Sequence, residues 1–257
     1  MPNDISTRNR ILHILQLYER RDSWSVDEIA HEMGTSVSSS YRDVQELMRL
    51  EFLTAVVGAR YVLGPAFSHF DLLMRQNDPL LRVAIEHMKL LIAATTSSSV
   101  SILTRSYQDK VMCIHQEIGH TSERVGRYER GATMPLFRGA TSKVVLAHQN
   151  RRTLEKIYLD HEEEMRAAAH GITWKNLREE LDAIRKAGVA VSDSDITEGT
   201  TGIAAPLFID KQVVAGLSLV VRTEHCELDA FKAAVIETAH KVSERLSDIG
   251  GSWIARG

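Results

Sequence analysis

The sequence predicts an α+β protein with a small helical segment at its N-terminus and a larger mixed segment after it. Residues 1–75 contain eight Arg, no Lys and ten Asp or Glu, and read as short helices followed by a hairpin. Beyond them lysines appear, and short β-prone runs alternate with helical patterns. Hairpins with helices laid against them are typical of an α+β sheet domain. At 257 residues the chain suggests one large domain or two ordinary ones.

The composition argues against several classes of protein. Hydrophobic residues at 44%, charged residues at 25% and a net charge of -3 are ordinary globular values without a basic surplus. Cys113 and Cys226 are far apart and lack metal-ligand spacing, which favours a reducing compartment over a disulfide framework or a zinc site. The polar N-terminus lacks a signal-peptide core, and the longest apolar run, "VVAGLSLVV", is too short to span a bilayer. We therefore expect a soluble cytoplasmic protein without a membrane partner.

Three helices are predicted near the N-terminus. "RNRILHILQLYERRD" at 8–22 places apolar side chains at helical spacing in one stripe. In "SWSVDEIAHEMG", Ser25 followed three residues later by Glu28 is a capping-box signature, and Gly34 suits a left-handed helix end. The stretch "GTSVSSSYRDVQELMRL" at 34–50 supplies the third helix, with small hydroxyl side chains near its start.

The third helix has two faces with different expected roles. Tyr41, Val44, Leu47 and Met48 are expected to anchor it on the first two helices. The opposite face suits DNA, because small hydroxyls allow close approach to the backbone and free amides at a helix start favour a phosphate. Arg42 has the length to reach a phosphate or a guanine edge, and the latter contact is worth about 1–3 kcal/mol of discrimination.

"FLTAVVGARYVLGP" predicts a hairpin after the third helix. Gly58 supplies turn freedom, and Arg60 lies at the expected tip, placed for a phosphate or the minor groove. Helix, tight turn, helix and hairpin is the winged helix-turn-helix arrangement, which inserts a helix in the major groove. The candidate DNA-contacting residues are Ser36, Ser38, Ser39, Tyr41, Arg42, Gln45 and Arg60.

Each of these residues also has a plain structural interpretation, since serines early in a helix are usually caps and an exposed arginine is usually solvated. The order of helices, glycine turn and hairpin favours DNA binding over that interpretation. The acidic balance of the segment predicts modest affinity for one domain, and hence a dimer that reads two half-sites.

Residues 64–78, "GPAFSHFDLLMRQND", are predicted to form a connecting helix. Phe67, Phe70 and Leu73 or Met74 make an apolar stripe along it. The stripe packs either against a partner chain or on its own domain, and both alternatives stay open.

From residue 79 onward helices and strands mix. The expected elements are a helix in 79–98, a strand hairpin in 99–118 that turns near Gln108 and Asp109, helices in 140–148, 151–161 and 174–188, strands in 189–195 and 202–221, and a helix in 228–249. Glu162, Glu163 and Glu164 are interpreted as a solvated face.

No enzyme signature is present in the sequence. The chain lacks a phosphate-binding glycine loop, a dinucleotide-binding glycine motif and a G-x-S-x-G elbow. "HEEEM" lacks the second histidine of a zinc-protease helix, and the 11 histidines are scattered. We therefore expect no catalytic residue, no metal site and no cofactor.

Two segments suit a small ligand. "TEGTTGIAAP" at 197–206 is either a glycine turn that feeds a strand or a loop that closes over a ligand. In "PLFRGATSKVV", the amides of Ala140, Thr141 and Ser142 lie at an expected helix start, where a carboxylate or other anion can be held.

The sequence resembles the IclR-type transcriptional regulators over nearly its whole length. The resemblance rests on the N-terminal helices and hairpin, "RYVLGP" at 60–65, "GATMPLFRGATSKVVLA" at 131–147, and "ELDAIRKAGVAVSDSDITEGTTGIAAPLF" at 180–208, in the family's order and spacing. It implies a winged helix-turn-helix joined by a linker helix to a PAS/GAF-like effector domain with a curved antiparallel sheet. It also implies dimers or tetramers, and a small-molecule effector that alters binding to double-stranded promoter DNA.

The resemblance also implies an effector site. In family members that bind small carboxylates, the effector lies against two backbone amides at the start of the "ATSK" helix, which here belong to Ala140 and Thr141. The positions that match the family's effector contacts are Met134, Leu136, Ala140, Thr141, Ser192, Thr200, Gly202, Ser218 and Val220.

The chain departs from the carboxylate binders at several of those positions. They commonly have an acid at the position of Ser192, a cysteine at Gly202, a second serine at Val220 and a histidine at Phe137, and only Ser218 is kept among those polar side chains. Fewer polar partners make a pocket roomier and more apolar, so a small keto acid leaves much surface unmatched. We expect a larger, partly apolar effector of the organic or aromatic acid class, with its carboxylate held by the amides.

The sequence thus predicts a ligand-responsive, DNA-binding transcriptional regulator rather than an enzyme. The expected organisation is a winged helix-turn-helix in 1–64, a linker helix in 65–78, and an effector-binding and oligomerisation domain in 79–257. Two alternatives stay open: a protein-interaction module formed by the N-terminal helices, and an enzyme that acts through the 197–206 loop, for which no nucleophile–base pair is evident. Repressor and activator, and homodimer and homotetramer, are equally compatible with the sequence.

Overall fold

A computed structural model describes residues 7–96, 98–107, 110–120, 128–167 and 173–249. The chain divides into two compact units, Met1–Asn77 and Asp78–Gly257. The turn expected near Gln108 and Asp109 lies outside the described residues.

The N-terminal unit contains the expected helices and hairpin, together with one short strand that the sequence did not indicate. Its elements are α1 Thr7–Leu17, β1 Trp24–Ser25, α2 Val26–Met33, α3 Val37–Arg49, β2 Leu53–Val56, β3 Arg60–Leu63 and α4 Ala66–Asn77. The strands form an antiparallel sheet in the order β1-β3-β2, in which Trp24 pairs with Tyr61 and Leu53 with Leu63. β1 is only 2 residues long, too short for an alternating pattern to reveal it.

Local capping fixes the tight turn between α2 and α3. The Ser25 hydroxyl accepts the Glu28 amide at 3.2 Å while the Glu28 carboxylate accepts the Ser25 amide at 2.8 Å, which confirms the capping box. Gly34 ends α2 at φ 61°, in the expected left-handed conformation. Ser36 then caps α3 by accepting the amide of Ser39 at 3.3 Å. The two helices are therefore joined within a few residues.

One apolar cluster holds the N-terminal unit together. Its buried side chains are Ile14, Leu17, Trp24, Ile29, Val44, Leu47 and Leu53. Burial of a large aliphatic or aromatic side chain contributes about 1.5–3 kcal/mol. The Trp24 indole also donates to the Leu17 carbonyl at 3.2 Å, so its one polar atom is satisfied inside the core.

The structure corrects the assignment of Tyr41 to the anchoring face of α3. Its side chain is 51% exposed, whereas Ser40, Val44 and Leu47 are buried at helical spacing. The Ser40 hydroxyl is hydrogen-bonded to that of Thr35 at 2.7 Å. The inward position expected for the Tyr41 ring is therefore held by Ser40. Apolar spacing does not count a small polar side chain such as Ser40 as part of the core.

The apolar stripe of α4 packs partly within its own unit. The Phe52 ring contacts Phe67 edge-on, with centroids 5.5 Å apart, and stacks on Phe70 at 5.8 Å. Phe70 and Met74 nevertheless remain 48% and 57% exposed. Part of the stripe therefore packs against Phe52 of its own unit, and part of it stays exposed.

The C-terminal unit is a sheet with helices on both faces. Its elements are α5 Pro79–Ala94, β4 Val100–Tyr107, β5 Lys110–Ile118, β6 Thr133–Met134, α6 Ala140–Ala147, α7 Arg151–Asp160, α8 Glu162–Ala167, α9 Trp174–Ala187, β7 Ala190–Asp193, β8 Thr200–Ile209, β9 Gln212–Arg222, a 3-10 helix Thr223–His225 and α10 Leu228–Asp248. Among the described residues the strands form a curved antiparallel sheet in the order β6-β5-β4-β9-β8-β7. The sequence missed β6 and α8, and Glu163, expected on a solvated face, is exposed on α8.

Alternate residues of the strands serve two separate cores. Ile203 and Leu219 are fully buried with side chains of α5 and α10, such as Met88 and Val235. On the opposite face, Ala204 is buried with side chains of α6, α7 and α9. The sheet therefore supports α6, whose start forms the site described below.

The described residues offer little reactive chemistry. Both cysteines are free, and burial raises the pKa of Cys113 to about 11, so that thiol stays protonated at neutral pH. No group of three or more His, Cys, Asp or Glu within the described ranges is arranged to hold a metal ion. Nor does any helix in those ranges have the length and apolar character needed to cross a membrane.

His148, at the end of α6, makes the C-terminal unit sensitive to acid. Its Nδ1 is hydrogen-bonded to the Val144 carbonyl at 2.9 Å and its ring packs edge-on against Phe208 at 5.0 Å. Burial lowers the pKa of His148 below its ordinary 6.5, and the charge of Arg185 adds to the effect. Because the unfolded chain takes up the proton more readily, the stability that neutral His148 contributes is present above the ordinary pKa and is lost as the pH falls through the lowered one.

We expect the urea midpoint of the wild type to fall more between about pH 7.5 and 5.5 than that of His148→Gln, which cannot titrate. The measurement is urea unfolding of both proteins at the two pH values. The other titrating groups are the same in both proteins, so their effects cancel in the comparison. The same fall in both proteins would contradict the assignment.

Candidate functional site

The outer face of α3 presents three of the candidate DNA-contacting side chains together. Ser38, Tyr41 and Arg42 are all exposed, at spacings of three and four residues that place them on one side of the helix. Arg42 forms no ion pair with any residue that the structure describes, whereas Arg49 on the same helix is paired with Glu46 at 2.5 Å. The Arg42 guanidinium is therefore available to an external phosphate or base edge.

The other candidates on α3 have intramolecular roles. Ser36 is the N-cap described above, and it engages the amide of Ser39, which is half-buried. Gln45 is also half-buried, and its amide donates to the Met48 sulfur at 3.8 Å. Ser36 therefore acts as a helix cap, which is the structural interpretation that the sequence left open for the serines.

The structure corrects the position of Arg60. The hairpin turn is centred on Gly58, and Arg60 is the first residue of β3, paired with Ser25 of β1. Its guanidinium donates to the Ser23 hydroxyl at 2.9 Å, the Ser23 carbonyl at 2.7 Å and the Glu28 carboxylate at 3.0 Å. The backbone hydrogen bond from Ser25, followed by the Arg60 guanidinium, lowers the pKa of Glu28. Arg60 thus ties the hairpin to the start of α2 instead of projecting from a tip.

A cleft in the C-terminal unit lies between the start of α6 and the sheet. Its enclosed volume is about 30 Å³, and about 400 Å³ when the open solvent at its mouth is included. The predicted effector residues that line it are Met134, Ala140, Thr141, Ser192, Thr200, Gly202 and Val220. These residues come from β6, α6, β7, β8 and β9, so the fold brings distant segments of the chain together at one cleft.

Two predicted effector residues lie away from this cleft. Leu136 is 6% exposed and packs in the apolar cluster beneath α6, α7 and α9. Ser218 is fully buried on β9, and its hydroxyl donates to the Ile102 carbonyl at 3.4 Å. Both are core positions in this structure, outside the lining of the cleft.

The sequence missed six residues that line the cleft. They are Ile102, Tyr128, Gly139, Asp195, Ile196 and Thr197. Asp195, Ile196 and Thr197 belong to the β7–β8 loop at 194–199. The sequence predicts this loop at 197–206, but β8 already begins at Thr200, so the loop starts and ends earlier in the chain. The polar run "SDSDITEG" marks this loop in the sequence, but nothing local indicates Ile102 or Tyr128.

The amides at the start of α6 already have acceptors inside the chain. The Ala140 amide donates to the Ser192 hydroxyl at 3.1 Å, and the Gly139 amide donates to the Asp195 carboxylate at 3.2 Å. Lys143, one turn further on, lies 3.3 Å from the same Asp195 oxygen and 2.8 Å from Glu180. Burial opposes the charge on Lys143, but the hydrogen bond to Glu180 and the charges of Glu180 and Asp195 raise its pKa. An internal carboxylate therefore lies beside the expected anion position, on the Gly139 amide, while the Ala140 amide is taken by a hydroxyl.

Gly202 leaves the space that the Ser192 hydroxyl needs. The two residues are paired on β7 and β8, and a Cβ at position 202 would lie 2.9 Å from the Ser192 oxygen. Gly202→Ala is expected to push that hydroxyl away from the Ala140 amide and to lower the free energy of unfolding by about 0.5–1.5 kcal/mol, the net value of one hydrogen bond. In a Ser192→Ala background the same change should cost much less, because the hydroxyl is already gone.

Urea denaturation of the four proteins in this cycle measures the coupling between the two positions. Additive losses from Gly202→Ala and Ser192→Ala would show that the two residues do not compete for space.

Residues 74–244 match the family described as "Bacterial transcriptional regulator IclR C-terminal". The HTH-type transcriptional regulator KipR of Bacillus subtilis is 27% identical over 222 residues, which cover 85% of this chain and 87% of KipR. The HTH-type transcriptional regulator KdgR of Escherichia coli is 27% identical over 254 residues, which cover 95% of this chain and 94% of KdgR.

Solved structures show the same fold. An IclR homolog complexed with 4-hydroxybenzoate, from Microbacterium hydrocarbonoxydans, matches with a TM-score of 0.77 at 19% identity, covering 95% of this chain and 100% of that one. At this level of identity the likeness concerns the fold alone.

Proposed function

Because this chain belongs to the IclR family of bacterial transcriptional regulators, we propose that it is a DNA-binding regulator controlled by a small organic acid, with aromatic acids as the favoured class. The relatives that it matches over most of their length are named as regulators and not as enzymes. The observation that carries the proposal is the cleft at the start of α6, where residues from five elements of the fold converge.

We propose that α1 to β3 form a winged helix-turn-helix, called here the reading head. Support comes from the capped turn between α2 and α3, the antiparallel hairpin that follows, and the exposed Arg42. In this proposal α3 enters the major groove with Ser38, Tyr41 and Arg42 towards the DNA and Ser39 and Gln45 beside them. The domain boundaries proposed from the sequence, at residues 64 and 78, place α4 as the linker.

The lining of the cleft favours an aromatic acid over a small keto acid. Ile102, Met134, Val220 and the Tyr128 ring supply apolar surface, and polar groups are concentrated near the start of α6. A mostly apolar pocket with a few placed polar groups suits a ligand that has one apolar body and one polar end. The structural relative that binds 4-hydroxybenzoate is consistent with this class.

A charged contact connects the lining of the cleft with the start of the C-terminal unit. Arg105 on β4 lies 3.0 Å from the carboxylate of Asp78, which also caps α5 by accepting the Leu80 amide at 3.0 Å. Ile102, three residues earlier on the same strand, lines the cleft. We infer that a ligand that moves β4 also moves Asp78 and the end of the linker, and so alters DNA affinity.

A homodimer or homotetramer is part of this proposal. The exposed part of the α4 stripe, with Phe70 and Met74, offers apolar surface to a second chain. Two reading heads would then contact two half-sites, which offsets the modest affinity expected of one.

A mobility shift on DNA from upstream of the protein's own gene tests the function. It is run at two salt concentrations, with 4-hydroxybenzoate, pyruvate or no acid. We expect a salt-sensitive shift that the aromatic acid alters and pyruvate does not. A response to pyruvate alone would contradict the ligand class, and a protein that shifts no such DNA would favour the interaction-module alternative.

A further inference from the structure

One side chain fastens the β7–β8 loop to the start of α6. The Asp195 carboxylate accepts the Gly139 amide at 3.2 Å and the Lys143 ammonium at 3.3 Å through the same oxygen. The backbone carbonyl of Asp195 also accepts a hydrogen bond from the Arg138 guanidinium. Residues 138–143 thus hold this loop through a single residue.

The loop lies against the cleft and is closed by its own hydrogen bonds. The Ser194 amide donates to the Thr200 carbonyl at 2.8 Å, and the Gly199 amide donates to the Ser194 hydroxyl at 3.2 Å. Ile196 packs on Gly139, where an added Cβ would lie 3.1 Å from the Ile196 side chain. The loop therefore has a defined shape without the Asp195 contacts. Those contacts hold its first half on α6, while the Thr223 amide holds its far end by donating to the Gly199 carbonyl at 3.0 Å.

We propose that Asp195 is a latch, whose carboxylate occupies donors at the start of α6, next to the Ala140 and Thr141 amides, and is displaced when an effector carboxylate binds there. This inference rests on the proposed function of the cleft as the effector site. The Gly139 amide and the Lys143 ammonium are further donors that an incoming carboxylate can use beside the Ala140 and Thr141 amides, and Asp195 already engages both. Displacement of Asp195 releases the loop at 194–199, which is the conformational change that the effector produces.

Charge supports displacement over simultaneous binding. Lys143 lies beside the carboxylates of Asp195 and Glu180, and Arg138 donates to the Asp195 backbone carbonyl. Two cations and two carboxylates are thus gathered at the start of α6, so its charge is already balanced. A second carboxylate beside Asp195 would place two like charges on the same donors, which disfavours both. If the effector carboxylate takes the place of the Asp195 carboxylate, the net charge at the start of α6 stays the same.

The latch also explains a preference for larger acids. A small acid only exchanges one carboxylate for another at the same donors, which leaves little net gain. An acid with an apolar body gains further burial against Ile102 and Val220, which line the cleft. A neutral ligand of the same shape can enter the cleft without competing with Asp195.

The test is calorimetric titration of wild type, Asp195→Asn and the control Asp210→Asn with 4-hydroxybenzoate and with its neutral analogue 4-hydroxybenzamide. Asp210 is an exposed aspartate in the turn between β8 and β9, away from the cleft. We expect Asp195→Asn to bind 4-hydroxybenzoate about tenfold more tightly than the wild type, because less of the protein is held in the latched state. The affinity for 4-hydroxybenzamide, and both affinities of Asp210→Asn, should equal those of the wild type.

Equal affinity of wild type and Asp195→Asn for 4-hydroxybenzoate overturns the latch and leaves the effector site in place. If neither protein binds 4-hydroxybenzoate, the proposed function fails for this acid, and hydrogen exchange without ligand decides the latch separately. The amides of Gly139 and of 194–199 are then expected to exchange about tenfold faster in Asp195→Asn than in wild type. Unchanged exchange at these amides overturns the latch on its own.

Discussion

Replacement of Arg42 with alanine is expected to weaken discrimination between operator and unrelated DNA by at least about tenfold while leaving the fold unchanged. The Arg42 side chain is exposed and forms no ion pair with the described residues, so its loss disturbs no internal contact. A good arginine contact with a guanine edge is worth about 1–3 kcal/mol. A dimer that reads two half-sites loses this amount twice, about 2–6 kcal/mol, or roughly 30-fold to 10⁴-fold in affinity. Fluorescence anisotropy with operator and scrambled duplexes at two salt concentrations measures the loss.

Two matched arginines separate this contact from general effects of charge and stability. Arg49→Ala removes the same charge from the same helix, but its guanidinium is already paired with Glu46, so we expect discrimination to survive. Arg60→Ala should loosen the hairpin through the loss of its contacts to Ser23 and Glu28, which lowers stability without selective loss of base recognition. An Arg42→Ala protein that prefers its operator as strongly as wild type would rule out α3 as the reading element.

Asp43→Ala is expected to lower the free energy of unfolding of the N-terminal unit by about 2–3 kcal/mol, somewhat less than the 3–5 kcal/mol typical of a fully buried ion pair. Arg10 donates to both carboxylate oxygens of Asp43, at 2.5 and 3.1 Å, and their side chains are 17% and 9% exposed. Without Asp43, the Arg10 charge stays largely buried with no partner. The bidentate contact is also lost between α1 and α3, the helices that position the reading head.

Native-state hydrogen exchange of the full chain measures this loss in α1 and α3, with α10 of the C-terminal unit as the internal reference. Faster exchange is expected in the first two helices alone. The double variant Arg10→Ala/Asp43→Ala should be less destabilised than the sum of its single changes, because no unpaired charge remains. Destabilisation that is equal in α10, or additive in the double variant, would show that the pair does not act locally.

The parts of the fold that short-range signals encode could be predicted from the sequence. Ser25 and Glu28 form the expected capping box, and Gly34 ends α2 in the expected conformation. The hairpin and the C-terminal helix lie where periodicity placed them. These features depend on residues that are neighbours along the chain, so the local pattern of side chains is sufficient to predict them.

The errors on α3 and β3 come from polar groups that take part in burial. Tyr41 was assigned to the core because apolar spacing counts neither Ser40 nor the buried carboxylate of Asp43, and these set which face of α3 is inward. Arg60 was placed at a tip because the register of β3 on the short strand β1 is invisible in the sequence. Both errors concern contacts between elements.

The cleft depends still more on contacts between distant segments. The amides at the start of α6 are predicted from the helix-start pattern, but most of the other predicted lining residues follow only from the family resemblance, which does not include Asp195 among the effector contacts. The contact between Asp195 and Gly139 joins residues 56 positions apart, and no local pattern links an aspartate in a loop with an amide at the start of a helix. The burial of Leu136 and Ser218, which lie outside the lining of the cleft, likewise depends on packing between distant segments that no local pattern shows.

The coupling between DNA and effector is tested most directly by measuring it in both directions. The affinity for operator DNA is measured with and without saturating 4-hydroxybenzoate, and the affinity for 4-hydroxybenzoate with and without saturating operator. We predict that both affinities change by the same factor, typically about 5–150-fold for coupled sites, because linkage is reciprocal. An acid that binds in the cleft and leaves the affinity for DNA unchanged would contradict a ligand-controlled regulator.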